Sequence, residues 1–125
     1  MGHRIQIEAG ELIFAGELND TGTAGHVHEI LPIEARANRW GDEIYFGIPA
    51  EHDADDAMRT EMAVGELAFW PPGNAFCIFW GPTPASEGDE PRAASDVVPI
   101  GNLTGNVGRL SEVKDGQAIR IEAAG

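Results

Sequence analysis

Hydrophobic and polar side chains alternate with a period of two near both ends of the chain. In residues 3–8, Ile5 and Ile7 share one face while the polar residues share the other. The same alternation runs through residues 12–18, after a short turn, and through residues 117–123. Because successive side chains of a strand point to opposite faces, these stretches predict strands with one buried face. The first two are expected to pair as a hairpin.

A helical period replaces this alternation between residues 21 and 31. The apolar residues that recur there at three- and four-residue spacing are Ala24, Val27, Ile30 and Leu31. Asn19, Asp20 and Thr21 can each cap a helix by accepting bonds from free backbone N–H groups, and Pro32 ends the segment. We therefore expect one short amphipathic helix over residues 21–31.

The rest of the chain again has strand character, interrupted by polar or proline-rich segments. The predicted strands cover residues 33–40, 43–48, 65–70, 75–80 and, bent by several glycines, 97–110. Residues 49–62 are an acidic insert with a helical turn expected near residues 55–59, and residues 81–96 are a long proline-rich loop. The sequence thus predicts one all-β domain over residues 1–125, an antiparallel barrel of about eight strands with one or two short capping helices.

Composition and charge narrow the range of partners. Of the 125 residues 42% are hydrophobic, and 21 acidic against 8 basic residues give a net charge of −13. A surface this acidic repels phosphate backbones and anionic lipids, so we expect neither nucleic acid nor a membrane as a partner. No signal-peptide pattern opens the chain, and its single cysteine, Cys77, cannot form an internal disulfide, so we expect a cytoplasmic location.

Several segments carry a family resemblance. They are residues 15–21, 37–46, 65–75, 77–84 and 90–95, of which the strings Trp-Pro-Pro-Gly-Asn and Phe-Trp-Gly-Pro-Thr-Pro are the most distinctive. Over nearly its full length the chain resembles the small cyclophilin-like proteins of bacteria and archaea, relatives of the peptidyl-prolyl isomerases. The resemblance implies a cyclophilin-like barrel of antiparallel strands closed at its ends by helices. It implies no particular reaction.

The chain departs from true cyclophilins at the residues that carry their activity. Those enzymes use an arginine in a Phe-His-Arg string, supported by a glutamine, and this chain has no such string. Gln6 and Gln117 lie in terminal strands, where a structural role is expected. Arg36 and Arg39 precede the Gly41-Asp42 turn and could supply a guanidinium by another route.

Large aromatic residues beside turns are the best candidates for a binding groove. Trp40, Trp70 and Trp80 border turns or Pro/Gly loops, where rings line pockets more often than in the middle of strands. The candidate ligand-binding residues are Arg39, Trp40, Glu43, Tyr45, Trp70, Asn74, Trp80, Thr83, Arg92 and Ser95. We expect the loop of residues 81–96 to lie across the barrel side near residues 39–45. Arg92 would then point inward to meet a carboxylate such as Glu43 or a ligand anion. The alternative is that Arg92 only pins the loop through a salt bridge.

Other motifs give weaker signals. His26 and His28 lie two apart on a predicted helix and therefore point away from each other, so no metal site is expected there. The aspartates of residues 53–56 lack the glycine and the terminal glutamate of a calcium loop. Three glycines in residues 101–108 do not open a helix, so they are not a dinucleotide motif, and no cofactor is predicted. Cys77 lies between apolar neighbours in a strand and is expected to be inert.

Two main function classes remain, a binding protein and an enzyme, with a further possibility from the family resemblance. The leading hypothesis is a protein that binds a small molecule or an extended peptide segment in a groove on the barrel. The rival is an enzyme, a peptidyl-prolyl isomerase with a rearranged site, which needs a donor near the proline nitrogen. A third reading follows from the resemblance, because cyclophilin-like domains also occur in some amide hydrolases and oxoprolinases: a subunit or assembly module. A homodimer is left open.

Overall fold

One antiparallel sheet organises the chain in the computed structural model, which describes residues 2–124. Its ten strands are β1 (His3–Ala9), β2 (Leu12–Leu18), β3 (Ile33–Arg36), β4 (Asn38–Arg39), β5 (Glu43–Gly47), β6 (Arg59–Glu61), β7 (Glu66–Trp70), β8 (Ala75–Phe79), β9 (Arg92–Leu103) and β10 (Ala118–Ala123). They pair in the order β3-β10-β1-β2-β9-β7-β8-β5-β4, and β6 adds to β9. One α-helix, α1 (Gly22–Glu29), and two short 3-10 helices, Pro71–Gly73 and Val107–Glu112, complete the fold.

A bend at Ala37 closes the sheet into a barrel. The two ends of the strand path, β3 and β4, follow each other in the chain and are separated only by this buried residue. The Ala37 N–H donates to the carbonyl of Gln117 (2.8 Å), and the Gly116 N–H donates to the carbonyl of Ala37 (2.7 Å). The segment predicted as one strand is therefore shared between β10 on one side and β5 on the other. The predicted all-β antiparallel barrel is confirmed, with ten strands rather than about eight.

The barrel interior holds the alternating residues that the sequence analysis assigned to it. Ile5, Ile7, Phe14 and Leu18 from the N-terminal hairpin are each at most 1% exposed. They pack with the inward-facing residues of the other strands, among them Ile44, Phe46, Leu67, Phe69, Phe76, Ile78, Val98 and Ile100. Burial of this apolar surface supplies the main driving force for closing the barrel.

A second apolar layer covers the outside of strands β7 and β8. It consists of Met62, Ala68, Ala75, Cys77, Phe79, Ala93 and Val97. The N-terminal part of β9 supplies Ala93 and Val97, and Met62 follows directly after β6; these three residues lie over the outward-facing residues of the sheet. This double coverage explains why β7 and β8 read as continuous apolar runs instead of alternating ones. The second apolar layer therefore forms a packed surface on the outside of the barrel.

The predicted helix is confirmed in position and is shorter than expected at both ends. Thr21 caps α1, since its side-chain oxygen accepts a hydrogen bond from the Ala24 N–H. Asp56, from the acidic insert, accepts from the backbone N–H groups of Thr23 (2.7 Å) and Gly22 (3.3 Å). The insert is therefore tied to the helix N-terminus, where a carboxylate is favourable. None of the helices in residues 2–124 is long and apolar enough to span a membrane.

Three boundaries differ from the prediction. Strand β9 begins at Arg92, so the expected loop of residues 81–96 ends five residues earlier, because residues 92–97 pair with β6. A helical turn was expected near residues 55–59, but residues 55–58 form no helix and residues 59–61 form the partner strand β6. Asn106 has a φ of 62°, and the following residues form a 3-10 helix where a bent strand was expected. The bend predicted near Gly101 is present as a register shift between β7 and β9.

Candidate functional site

A cavity of about 250 Å³ opens on the outer side of the barrel, next to the second apolar layer. Its lining residues are Trp40, Glu43, Tyr45, Trp70, Ala93, Ala94 and Val97. They come from the turn after β4, from β5, from the end of β7 and from the start of β9. Four of them, Trp40, Glu43, Tyr45 and Trp70, belong to the predicted site.

The alternation of strand β5 determines which of its side chains reach the cavity. Ile44 and Phe46 point into the barrel and are fully buried, so Glu43 and Tyr45 point outward. Tyr45 lies opposite Cys77 of β8, which is also on the outer face. A single-residue change of register would exchange these two sets of side chains.

A hydrogen bond and the lack of a side chain at Gly73 allow the Trp70 ring its position. The indole N–H donates to the Ser95 Oγ at 2.7 Å, which ties the end of β7 to β9. A Cβ atom at Gly73 would lie only 2.8 Å from Cε3 and Cζ3 of the same ring, so the ring occupies space that a side chain there would need. Gly73 follows two prolines in the 3-10 helix directly after Trp70. Ser95, a predicted site residue, therefore acts at the site through Trp70.

Glu43 is the one charged residue among the residues that line the cavity, and it is 5% exposed. Burial raises the pKa of its carboxyl group from 4.5 to about 7, and a hydrogen bond with the Cys77 thiol lowers it only in part. Burial and the neighbouring Glu43 carboxylate raise the pKa of the Cys77 thiol well above its usual range. Among the residues in the described range 2–124, no cationic side chain pairs with Glu43.

Glu66 provides a direct comparison on the same face of the sheet. Glu43 lies opposite Phe79 in the β5–β8 register, and on the other side of β8 the β7–β8 register begins with Leu67 opposite Ile78, the residues next to Glu66 and Phe79. Glu66 accepts two hydrogen bonds from the Arg59 guanidinium, from Nη1 at 3.0 Å and from Nη2, and a third from the Ala63 N–H (2.9 Å). One buried carboxylate of this row thus has an arginine, while the other faces the cavity.

Neither predicted arginine lines the cavity. The Arg39 guanidinium donates to the backbone carbonyls of Gly41 and Val113 and lies 5.0 Å from the centre of the Trp80 ring. Trp80 itself packs against the barrel core. Arg39 therefore links the end of β4 to neighbouring turns, and Trp80 packs between this guanidinium and the barrel core.

The ion pairs of Arg92 agree with the salt-bridge alternative and correct the expectation of an inward-pointing guanidinium. Its guanidinium contacts Glu90 (3.0 Å) and Glu61 (3.5 Å), not Glu43. It also donates to the Thr60 hydroxyl (3.1 Å), because β9 pairs with β6 at this point. Arg92 therefore pins the strap of residues 81–91 to the insert, and the guanidinium is unavailable to an anion in the cavity.

Asn74 and Thr83 shape turns outside the cavity. Asn74 has a φ of 46°, a left-handed conformation that asparagine tolerates, and its carbonyl accepts from the Ile48 N–H. Thr83 is buried, and its hydroxyl donates to the Arg92 carbonyl. The Asp42 N–H donates to the Pro82 carbonyl (3.0 Å), so the loop begins against the turn of residues 41–42, where it was expected.

Sequence reasoning missed three of the lining residues. Ala93, Ala94 and Val97 have no chemical signature, and the polar residues around them hid the start of β9. The signal that could have found them is the apolar outer face of β7 and β8, which requires a covering segment. Within residues 2–124, no group of three or more His, Cys, Asp or Glu side chains is arranged to hold a metal ion.

Comparisons with known proteins agree with this architecture. The family model described as Cyclophilin-like matches residues 3–122. The solution structure of the hypothetical protein AF2241 from Archaeoglobus fulgidus is similar, with 33% sequence identity and a TM-score of 0.83. The similarity covers 98% of this chain and 95% of that protein. No curated protein matches the chain.

Proposed function

The chain belongs to the cyclophilin-like family, and we propose that it binds a small molecule in the cavity on the outer side of its barrel. The observation that carries the proposal is the composition of the cavity lining. Three large aromatic side chains, Trp40, Tyr45 and Trp70, surround one carboxyl group in an otherwise apolar site. Concave apolar surfaces with few polar groups are the usual form of small-molecule sites.

The size of the cavity favours a small ligand over an extended peptide. A volume of about 250 Å³ accommodates a group of several non-hydrogen atoms, since one water molecule in the liquid occupies about 30 Å³. An extended peptide needs a groove that spans several residues or an open sheet edge. The residues that line this cavity instead converge on one compact space.

The isomerase alternative lacks the group that it requires. Prolyl isomerisation without covalent chemistry depends on a donor near the proline nitrogen, for which an arginine in the groove was the candidate. Arg39 and Arg92 both use their guanidinium groups in contacts outside the cavity. We therefore expect no acceleration in a proline-peptide isomerisation assay, and a rate near that of true cyclophilins would overturn this ranking.

A thermal-shift screen of small molecules tests the proposal with matched variants. Trp70→Ala and Trp80→Ala each remove one half-buried indole, but only Trp70 lines the cavity. A ligand present at 100 times its Kd stabilises the folded state by about 2.7 kcal/mol, which a thermal shift detects. We expect hits that raise the Tm of the wild type and of Trp80→Ala while leaving Trp70→Ala unchanged. Equal shifts in both variants, or no hits at all, would contradict the proposal.

A further inference from the structure

We infer that the ligand of this cavity is a small organic cation, a molecule with an alkylammonium group that lies among the aromatic rings and against the Glu43 carboxylate. This inference rests on the proposed binding function and adds the chemical class of the ligand. Three features of the site carry it: the aromatic lining, the carboxyl group without a counter-charge, and the charge of the whole protein.

The aromatic lining attracts a cation more strongly than it attracts an apolar ligand of the same size. The face of an indole or phenol ring carries partial negative charge, so a cation near the ring centre is attracted to it. Groups of aromatic side chains are the recurring protein solution for quaternary ammonium ligands. Trp40, Tyr45 and Trp70 supply three such rings around one cavity.

The negative charge of Glu43 also favours a cationic ligand. A buried carboxylate without a counter-charge is costly, and the neighbouring Glu66 has the Arg59 guanidinium as its counter-charge. An alkylammonium group in the cavity would supply for Glu43 the positive charge that the Arg59 guanidinium supplies for Glu66. The described lining contains no arginine, lysine or histidine, so the ligand itself is the natural source of the positive charge.

The net charge of the protein favours the same class of ligand. At −13, the protein attracts cations toward its surface and repels anions. An anionic ligand would also meet the Glu43 carboxylate without any compensating donor from Arg39 or Arg92. A neutral ligand would gain from the rings but would leave the charge of Glu43 uncompensated.

Binding of a permanent cation should be coupled to loss of the Glu43 proton. The titratable groups that face Glu43 are the Cys77 thiol from β8 and the Tyr45 phenol from its own strand, while β9 contributes only Ala93, Ala94 and Val97. Neither group carries positive charge in any ionisation state. Because the carboxyl group has a pKa of about 7, the ionised fraction rises roughly tenfold between pH 6 and pH 8. The affinity for the cation should rise by the same factor.

The test compares choline with 3,3-dimethylbutan-1-ol, a neutral molecule of nearly the same shape. Both are titrated into the wild type by NMR at pH 6 and pH 8, with sodium chloride added to equalise the ionic strength. We expect choline to bind about ten times more tightly at pH 8 than at pH 6, and the alcohol to show no such rise. Glu43→Gln removes the negative charge that attracts the quaternary ammonium, so it should abolish the pH dependence and weaken choline binding at pH 8 by about tenfold or more. Glu66→Gln, the matched control, should retain both.

Each outcome separates the inference from the proposed function. If choline and the alcohol bind equally at both pH values, the cation inference is wrong while the binding function stands. If neither binds but the thermal-shift screen finds other ligands that need Trp70, the inference again fails alone. If neither binds and the screen is empty, both are wrong. The pH comparison in the wild type needs no substitution, so it holds even where a variant folds poorly.

Discussion

Replacement of Glu43 by glutamine should make the protein more stable at neutral and alkaline pH. In the folded state burial raises the pKa of Glu43 from 4.5 to about 7, while an unfolded chain exposes the group to water. Each pKa unit corresponds to about 1.36 kcal/mol, so the ionised carboxylate costs the folded state about 3 kcal/mol when fully developed. That is a large part of the 5–15 kcal/mol by which a typical domain is stable.

The direction of the effect follows from proton binding. Between pH 4.5 and about 7 the folded protein holds the Glu43 proton more tightly than the unfolded chain does. The free energy of unfolding therefore falls as the pH rises through this window, and the stabilisation is complete only below pH 4.5. Between pH 5 and pH 8, Glu43 should account for a loss of roughly 2–3 kcal/mol. Glu43→Gln has no ionisable group at this position and should not show that loss.

Urea unfolding at pH 5 and pH 8 measures this difference directly. Urea is preferable to guanidinium, because guanidinium is itself a cation that the cavity could bind. Groups other than Glu43 titrate in both proteins, so subtraction of the two pH profiles isolates its contribution. Parallel profiles for the wild type and Glu43→Gln would refute the reasoning, since they would mean that Glu43 titrates normally in the folded state.

Two further substitutions test the supports of the site and of the helix. Gly73→Ala should displace the Trp70 ring, because the added Cβ would lie 2.8 Å from it, and should therefore change tryptophan fluorescence and weaken ligand binding; Gly105→Ala, whose Cβ would meet nothing within 4 Å, should change neither. Asp56→Ala should lower the free energy of unfolding at pH 7 by about 1–2 kcal/mol, because the carboxylate accepts hydrogen bonds at the N-terminus of α1 much as a capping side chain does. Burial by itself would raise the pKa of Asp56, but the hydrogen bonds from Thr23 and Gly22 lower it, so this difference should shrink as the pH falls below 3.8. A constant difference would argue against this role of Asp56.

The fold was largely predictable because its signals are local. The alternation in β1, β2 and β10 and the change of period at α1 each depend on residues close together in the chain. The bend at Ala37 has no such signal, because its cause is pairing with two strands from distant parts of the sequence.

The candidate site was predictable only where large side chains border turns. Trp40 and Trp70 were found in this way, Glu43 by its position beside the Gly41-Asp42 turn, and Tyr45 as one more large ring although it lies within β5. The ion pair of Arg92 with Glu61 was not, because Glu61 lies 31 residues away and approaches only through the pairing of β6 with β9. Ala94 could not be predicted, because a methyl side chain carries no chemical signature and its role depends only on the surface that it contacts in the fold.

The central claim, that the outer cavity is the binding site, is tested most directly by the indole N–H signals of the three tryptophans. The chain has one indole in each of Trp40, Trp70 and Trp80, so a nitrogen-15 NMR spectrum resolves one signal for each, assigned by substitution. Titration with choline at pH 8 should shift the Trp40 and Trp70 signals along one common binding curve and leave Trp80 in place. Shifts confined to Trp80 would contradict the account. So would three signals that move neither with choline nor with any hit of the thermal-shift screen.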